Sequence, residues 1–277
     1  MSETPDLPVW INGQPATGLP VSDRGLAYGD GLFETIRITP AGPVLLDYHL
    51  DRLQLGLQRL AIPLSLDTVR RELLSFPGTR HTGVVKLIVT RGSGGRGYAP
   101  AGATEPRCIL QHFPLPDYPE AWFERGIRVF SCQTRLGCNP SLAGIKHLNR
   151  LEQVVARAEW EGSEQFQEGL MQDVHGNLVE GVMSNVFIVE QGRVLTPQLD
   201  QCGVAGTLRR WLMEQLRGQG LEVIETRITV DAFRVAAERF FCNSVFGVWP
   251  VAHFEDQHWT PGPVSRLAQQ LIRAHWF

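Results

Sequence analysis

Hydrophobic positions along the chain change period several times, and the changes mark its elements. Asn12-Gly13, set between apolar residues in VWINGQP, is the signature of a type I′ hairpin, and Leu32 to Ile38 alternates as a strand. Leu50, Leu53, Leu57 and Leu60 recur at helical spacing after Asp47-Tyr48-His49, and Leu66 to Leu74 repeats that period with Asp67 as its expected N-cap. The β-branched run Val84 to Thr90, bounded by Gly83 and Gly92, and the segment Cys108 to Phe113 predict two further strands. The proline-rich stretch FPLPDYPE, residues 113–120, reads as a linker between a small domain at 1–112 and a larger one at 121–277.

Beyond the linker, Gly126 to Ser131 alternates as a strand. Leu148, Leu151, Val154, Val155 and Ala158 form the apolar stripe of a helix expected to start near His147. Strands are then expected at Leu178-Val179, Val186 to Val189, Val194-Leu195, Val223-Ile224 and Phe240 to Cys242, with helices over Thr207 to Arg217 and from Val264 onward. Hairpins outnumber strict βαβ alternation, so the pattern predicts an α+β fold in two lobes.

Composition narrows the classes of function. Hydrophobic residues are 43% and charged residues 20% of 277 residues, which excludes a disordered chain. Lys+Arg 26 against Asp+Glu 29 leaves a net charge of -3 with no basic cluster, which disfavours a nucleic-acid partner. The five cysteines show no CxxC pair, so they read as reduced thiols rather than a disulfide frame or a metal site. MSETPDLPVW lacks the basic and apolar regions of a leader and no run suits a membrane span, so the expected compartment is the cytoplasm. Of the basic residues only Lys86 and Lys146 are lysines, so any amine chemistry falls on one of two positions.

Gly92, Gly94 and Gly97 in RGSGGRG satisfy G-x-G-x-x-G after a strand, but Tyr98-Ala99-Pro100 follows where a dinucleotide site needs a helix. The same loop carries Arg91 and Arg96, which suit either a carboxylate clamp or a solvated hairpin tip. Lys86 lies mid-strand, whereas Lys146 precedes a helix among Gly144, Ile145 and His147, where a desolvated amine turns nucleophilic toward carbonyls. Glu180, in NLVEGVMSNVFIV, is either an exposed carboxylate or a partner for a pyridine nitrogen. GVAGTLRR opens a helix whose first amides suit a phosphate, or an ordinary cap at Thr207.

Taken together, SDRGLAYGDGLFETIR (22–37), HLDRL (49–53), TRGSGGRGY (90–98), RLGCNPSLAGIKHLNRLEQV (135–154), VEGVMSNVF (179–187), TPQLDQCGVAGTLR (196–209) and FCNSVFGVWPV (241–251) resemble the fold-type IV pyridoxal-phosphate enzymes. That family includes branched-chain and D-amino acid aminotransferases and aminodeoxychorismate lyases. RGSGGRGY and NPSLAGIKHLNRLEQV look like the lyase branch. CNSVFGV is shorter and more apolar than the Ser/Thr-rich loop of the aminotransferases, and GTLR replaces their GITR-like turn.

The resemblance implies a small α/β N-terminal domain, a larger barrel-like C-terminal domain and pyridoxal 5'-phosphate held between them. It implies that Lys146 binds the cofactor covalently and acts as base, and that Glu180 holds the pyridine nitrogen. Arg52, the amides of Thr207 and Leu208, and the loop residues Asn243 and Ser244 would hold the phosphate, while Arg96 and Tyr98, with Arg91 as a further candidate, would bind substrate carboxylates. It further implies a homodimer with shared active sites, acting on 4-amino-4-deoxychorismate to give 4-aminobenzoate and pyruvate. The alternatives are an aminotransferase of the same fold and a non-catalytic anion-binding protein that uses the Gly/Arg loop.

Overall fold

The structure, a computed structural model, describes residues 7–100, 102 and 105–276; residues 1–6, on which the reading of the chain start partly rests, lie outside it. Two compact units emerge, one of residues 1–116 with Ile145–Asn149 and one of Asp117–Gly144 with Arg150–Phe277.

In the first unit β1 (Val9–Ile11) and β2 (Gln14–Ala16) form the expected hairpin, its turn made by Asn12 at φ 51° and Gly13 at φ 76°. Then come α1 (Arg24–Tyr28), β3 (Gly31–Thr39), β4 (Gly42–Pro43), α2 (Leu46–Leu60), α3 (Leu66–Ser75), β5 (Gly83–Thr90) and β6 (Arg107–Phe113). The sheet order is β2-β1-β6-β5-β3-β4. Leu32, Glu34, Ile36 and Ile38 share one face with Val85, Leu87 and Val89, and α2 packs against β3. Glu34 is thus a charged residue in the middle of an apolar face. Ser65 rather than Asp67 caps α3, because its hydroxyl accepts the Asp67 amide and leaves Asp67 in the first turn. Residues 145–149 join this unit through Phe33 N donating to Lys146 O at 2.9 Å and Leu148 N to Gly31 O at 3.0 Å. Lys146 therefore groups with the N-terminal unit, where the sequence reading put it in the larger C-terminal domain.

The second unit holds α4 (Glu120–Glu124), β7 (Ile127–Leu136), α5 (Leu151–Ala158), β8 (Glu168–Asp173), β9 (Asn177–Gly181), β10 (Asn185–Glu190) and β11 (Arg193–Pro197). It continues with α6 (Thr207–Gly218), β12 (Val223–Thr226), β13 (Ile228–Thr229), α7 (Val230–Val235), β14 (Glu238–Asn243), β15 (Gly247–Phe254), β16 (Gln257–His258) and α8 (Pro263–Trp276). Its sheet runs β12-β11-β10-β14-β15-β7-β8-β9-β13, and β9 also approaches β10, so the sheet curls into a nearly closed barrel. Ile127, Val186, Phe233, Phe241, Trp249 and Phe254 fill it.

One expectation fails on α5. Leu148 N is bonded to Gly31 O of β3, the helix begins only at Leu151, and its buried residues are Gln153 and Ala156. The apolar stripe points outward, with Leu151 77%, Val154 60% and Val155 54% exposed. Among the described residues no helix is long and apolar enough to cross a membrane.

Candidate active site

Each unit carries part of the predicted set. In the first, the side chains of Lys146 and Lys86 both reach the ring of Phe33, with Nζ 4.4 Å and 5.8 Å from its centroid. Lys146 is half-buried at the end of its loop, while Lys86 sits opposite Thr35 within the β3–β5 ladder.

Arg52 lies on α2 above Glu34 and donates Nε to Oε1 at 2.8 Å and Nη2 to Oε2. His49, one turn earlier, meets Glu34 Oε2 through Nδ1 at 2.6 Å. Burial alone would push the Glu34 carboxyl up, yet the Arg52 guanidinium and the His49 ring hold it down at about 2. Burial lowers the His49 ring; Glu34 opposes that shift, and the charges of Arg52 and Lys146 add to it. A neutral ring therefore donates Nδ1–H, and Glu34 stays the anion that fixes the guanidinium. Glu34 and His49 were missed in the sequence, although a carboxylate at an inward strand position between Leu32 and Ile36 is a signal of burial with a partner.

This triad has a pH signature. The folded value of about 2 lies below the ordinary 4.5, so its stabilisation is present above pH 4.5 and is lost as pH falls toward 2. The loss amounts to about 3 kcal/mol. Glu34→Gln should lower stability at neutral pH and remove this step of the acid limb, as urea midpoints at several pH values would report. A variant with the wild-type acid limb would separate Glu34 from it.

The glycine-rich loop is fixed from beneath. Arg24, 3% exposed, donates Nε to Asp30 at 2.9 Å, Nη1 to Gly97 O at 3.0 Å and Nη2 to Tyr98 O at 3.1 Å. Among the described residues no helix lies between the glycines and β6. Arg91 does not serve as a clamp: it is 7% exposed, paired with Asp30 at 2.7 Å and 3.0 Å, and bonded to the carbonyls of Ala61 and Leu60. Those bonds hold the C-terminal end of α2, so Arg91 belongs to the fold. Arg96 and Tyr98 are exposed at the loop tip, and Tyr98 makes an edge contact with Tyr28 at 5.6 Å.

In the second unit Glu180, 4% exposed, is the penultimate residue of β9. Its Oε2 accepts the Val204 amide at 2.8 Å and its Oε1 accepts Gln153 Nε2 at 3.4 Å. Val204 O accepts Asn185 Nδ2 at 2.8 Å, which ties the turn before α6 to β10. α6 begins after Gly206 with no side-chain cap, and Thr207 and Leu208 are buried at its first turn. A Cβ at Gly206 would lie 1.9 Å from Asn185 Oδ1, so only glycine admits this approach. Asn243 is turned to its own hairpin: Oδ1 accepts the amides of Val245 and Phe246 at 2.9 Å each, and Nδ2 donates to Met183 O at 3.1 Å. Ser244 lies half-buried in that hairpin turn. Glu168, which the sequence reading passed over, braces the 182–184 turn by accepting Gly169 N at 2.8 Å, Val182 N at 3.0 Å and Ser184 Oγ at 2.5 Å. Burial pushes its carboxyl up to about 7 against those bonds.

A family model described as amino-transferase class IV matches residues 31–254. Aminodeoxychorismate lyase of Vibrio harveyi is 37% identical over 264 residues, covering 95% of this chain and 97% of that relative. A putative branched-chain-amino-acid aminotransferase of Methanocaldococcus jannaschii is 28% identical over 98% of each chain. The crystal structure of 4-amino-4-deoxychorismate lyase from Pseudomonas aeruginosa matches with a TM-score of 0.93 at 49% identity, over 96% of this chain and 98% of that one.

Proposed function

The chain belongs to the amino-transferase class IV family, and on that premise we propose that it is a pyridoxal-phosphate enzyme splitting 4-amino-4-deoxychorismate into 4-aminobenzoate and pyruvate, a step toward folate. The observation that carries this reading is its near end-to-end likeness to two proteins named for that lyase, one at 37% and one at 49% identity. The aminotransferase alternative rests on lower identity, 28% for the Methanocaldococcus protein.

The residues present suit the cofactor. A half-buried amine, a buried carboxylate, a fixed guanidinium and an uncapped helix start at a glycine cradle are the donor set that a pyridine aldehyde phosphate requires. When bound, the cofactor supplies an electron sink that acidifies the carbon bearing the substrate amine. Lys146 would hold it covalently, and Lys146 Nζ is the base that removes the proton at substrate C4 and returns one to the departing enol carbon. Glu180, held by Val204 and Gln153, keeps the proton on the pyridine nitrogen. Arg52, oriented by Glu34, and the amides of Thr207 and Leu208 bind the phosphate, with Ser244 and the Asn243 backbone as further contacts. The ring gains aromaticity as the enolpyruvyl group leaves C3, so the protein mainly aligns the C4–H bond and places its base.

Arg96 and Tyr98 bind a substrate carboxylate from the loop that Arg24 fixes. A point-charge ammonium cannot reproduce a guanidinium fork, so Arg96→Lys should lower kcat/KM roughly 30- to 150-fold and leave the cofactor spectrum unchanged. A change within about twofold would return Arg96 to a solvated loop tip. The outward stripe of Leu151, Val154 and Val155 supports a homodimer, since an isolated subunit would leave it in water. Incubating the purified protein with 4-amino-4-deoxychorismate should yield equimolar pyruvate and 4-aminobenzoate. Amino exchange between an amino acid and a keto acid without those products would overturn the lyase reading in favour of a transaminase.

A further inference from the structure

Of the five cysteines, Cys108, Cys132 and Cys242 are 1%, 2% and 0% exposed, and burial pushes all three thiols up, Cys132 and Cys242 to about 12. They are inert packing residues. The other two form a pair. Cys138 follows β7 in a loop and is half-buried, and Cys202 is 8% exposed, with the Cys138 thiol among the neighbours that push its own thiol up. Backbone bonding holds the two loops in register. Asn139 N donates to Gln201 O at 2.7 Å, so each cysteine adjoins one end of that bond. Farther along, Gly144 N donates to Gly203 O at 2.9 Å and Ala205 N to Gly144 O at 3.0 Å.

We propose that Cys138 and Cys202 are a peroxide-reactive dithiol that closes to an intramolecular disulfide, stapling the loop after β7 to the loop before α6. Cys138 reacts first, because it alone among the five is not buried. Its sulfur attacks one peroxide oxygen and the O–O bond breaks, so that Cys138–SH and hydrogen peroxide give Cys138–SOH and water. Cys202 sulfur then attacks the Cys138 sulfur, expelling the hydroxyl as a second water and forming the S–S bond. Two thiols are oxidised, one peroxide is reduced, and both thiol protons leave in the water formed. Burial and the neighbouring Cys138, Asp173 and Glu180 push the Cys202 thiol up to about 12, so the second step is paced by its deprotonation and quickens as pH rises.

The location gives the bond its consequence. The Cys202 loop runs into Gly203 and Val204, whose amide holds Glu180, and the Cys138 loop runs into Gly144, just before Lys146. Closing a loop of roughly 60 residues should raise the thermal midpoint by about 5 °C.

The test treats the reduced protein with one equivalent of hydrogen peroxide and reads intact mass, unreduced peptide maps and thermal midpoint. The expected result is a loss of about 2 Da per chain, a peptide joining Cys138 to Cys202, a higher midpoint, and reversal of all three by dithiothreitol. Cys138→Ser and Cys202→Ala should each abolish the mass loss, with Cys202→Ala accumulating sulfenic acid on Cys138, a gain of about 16 Da; Cys138→Ser, a change at the less buried site, keeps the test sound should the other variant fold poorly. Sulfinic acid on Cys138 of the wild type without the crosslink, or a Cys138 bridge between two chains, would overturn the proposal.

Discussion

Lys146→Ala should leave a protein that no longer holds the cofactor covalently and whose turnover falls by roughly 1,000-fold or more, since covalent attachment and the general base are lost together. Only two side-chain amines exist, at Lys86 and Lys146, and both lie against the Phe33 ring. Their settings decide between them. Lys86 is a strand residue whose neighbours on both sides, β3 and β6, are paired, so its backbone is held in a ladder. Lys146 sits on a short loop, its carbonyl fixed by Phe33 N at 2.9 Å, and its charge is felt by the buried His49 beside Arg52. Borohydride reduction followed by peptide mapping should place the cofactor on Lys146. Lys86→Ala should keep both the covalent linkage and the activity, and cofactor recovered on Lys86 would reverse the assignment.

The elements legible in the sequence were those with an undisturbed period. β3, β5, α2 and α6 follow alternation or helical spacing because each presents one continuous apolar face to its own unit. β15 escaped, since Gly247 and Pro250 interrupt a segment that is nonetheless almost wholly buried, and buried strands show no alternation. α5 misled for the opposite reason: its stripe is genuine but faces outward, and periodicity tells which residues share a face without telling what covers it. At the site, residue type and neighbours single out Lys146 and Glu180 as candidates, whereas they leave the place of Arg91 open. An arginine beside glycines suits a clamp or a staple, and only the carbonyls of Leu60 and Ala61, distant in sequence, distinguish the two. Glu34, His49 and Arg24 act through contacts made across the fold, so no local motif announces them.

Glu180→Gln should retain the covalent cofactor and lower kcat on the order of 100- to 1,000-fold, the range for removing one preorganised partner of charge that develops in the transition state. A carboxylate next to a pyridine nitrogen stabilises its protonated form, and the protonated ring draws electrons from the carbon losing its proton; a neutral amide offers no such charge. The geometry lets the substitution be read cleanly. Glu180 Oε2 accepts the Val204 amide at 2.8 Å and Oε1 accepts Gln153 Nε2 at 3.4 Å, and glutamine retains an oxygen able to accept the shorter of these bonds. The turn before α6 should therefore keep its place, and phosphate binding with it. The effect belongs in kcat, and KM should change little. Gln153→Ala offers a graded comparison, since it removes the weaker of the two bonds and leaves the carboxylate charged, so its loss should be below about tenfold. A solvent-exchange measurement of the C4 proton should show that step slowed in Glu180→Gln in proportion to kcat. Unchanged turnover at saturating cofactor would remove the electrostatic role and leave Glu180 as a brace for Val204.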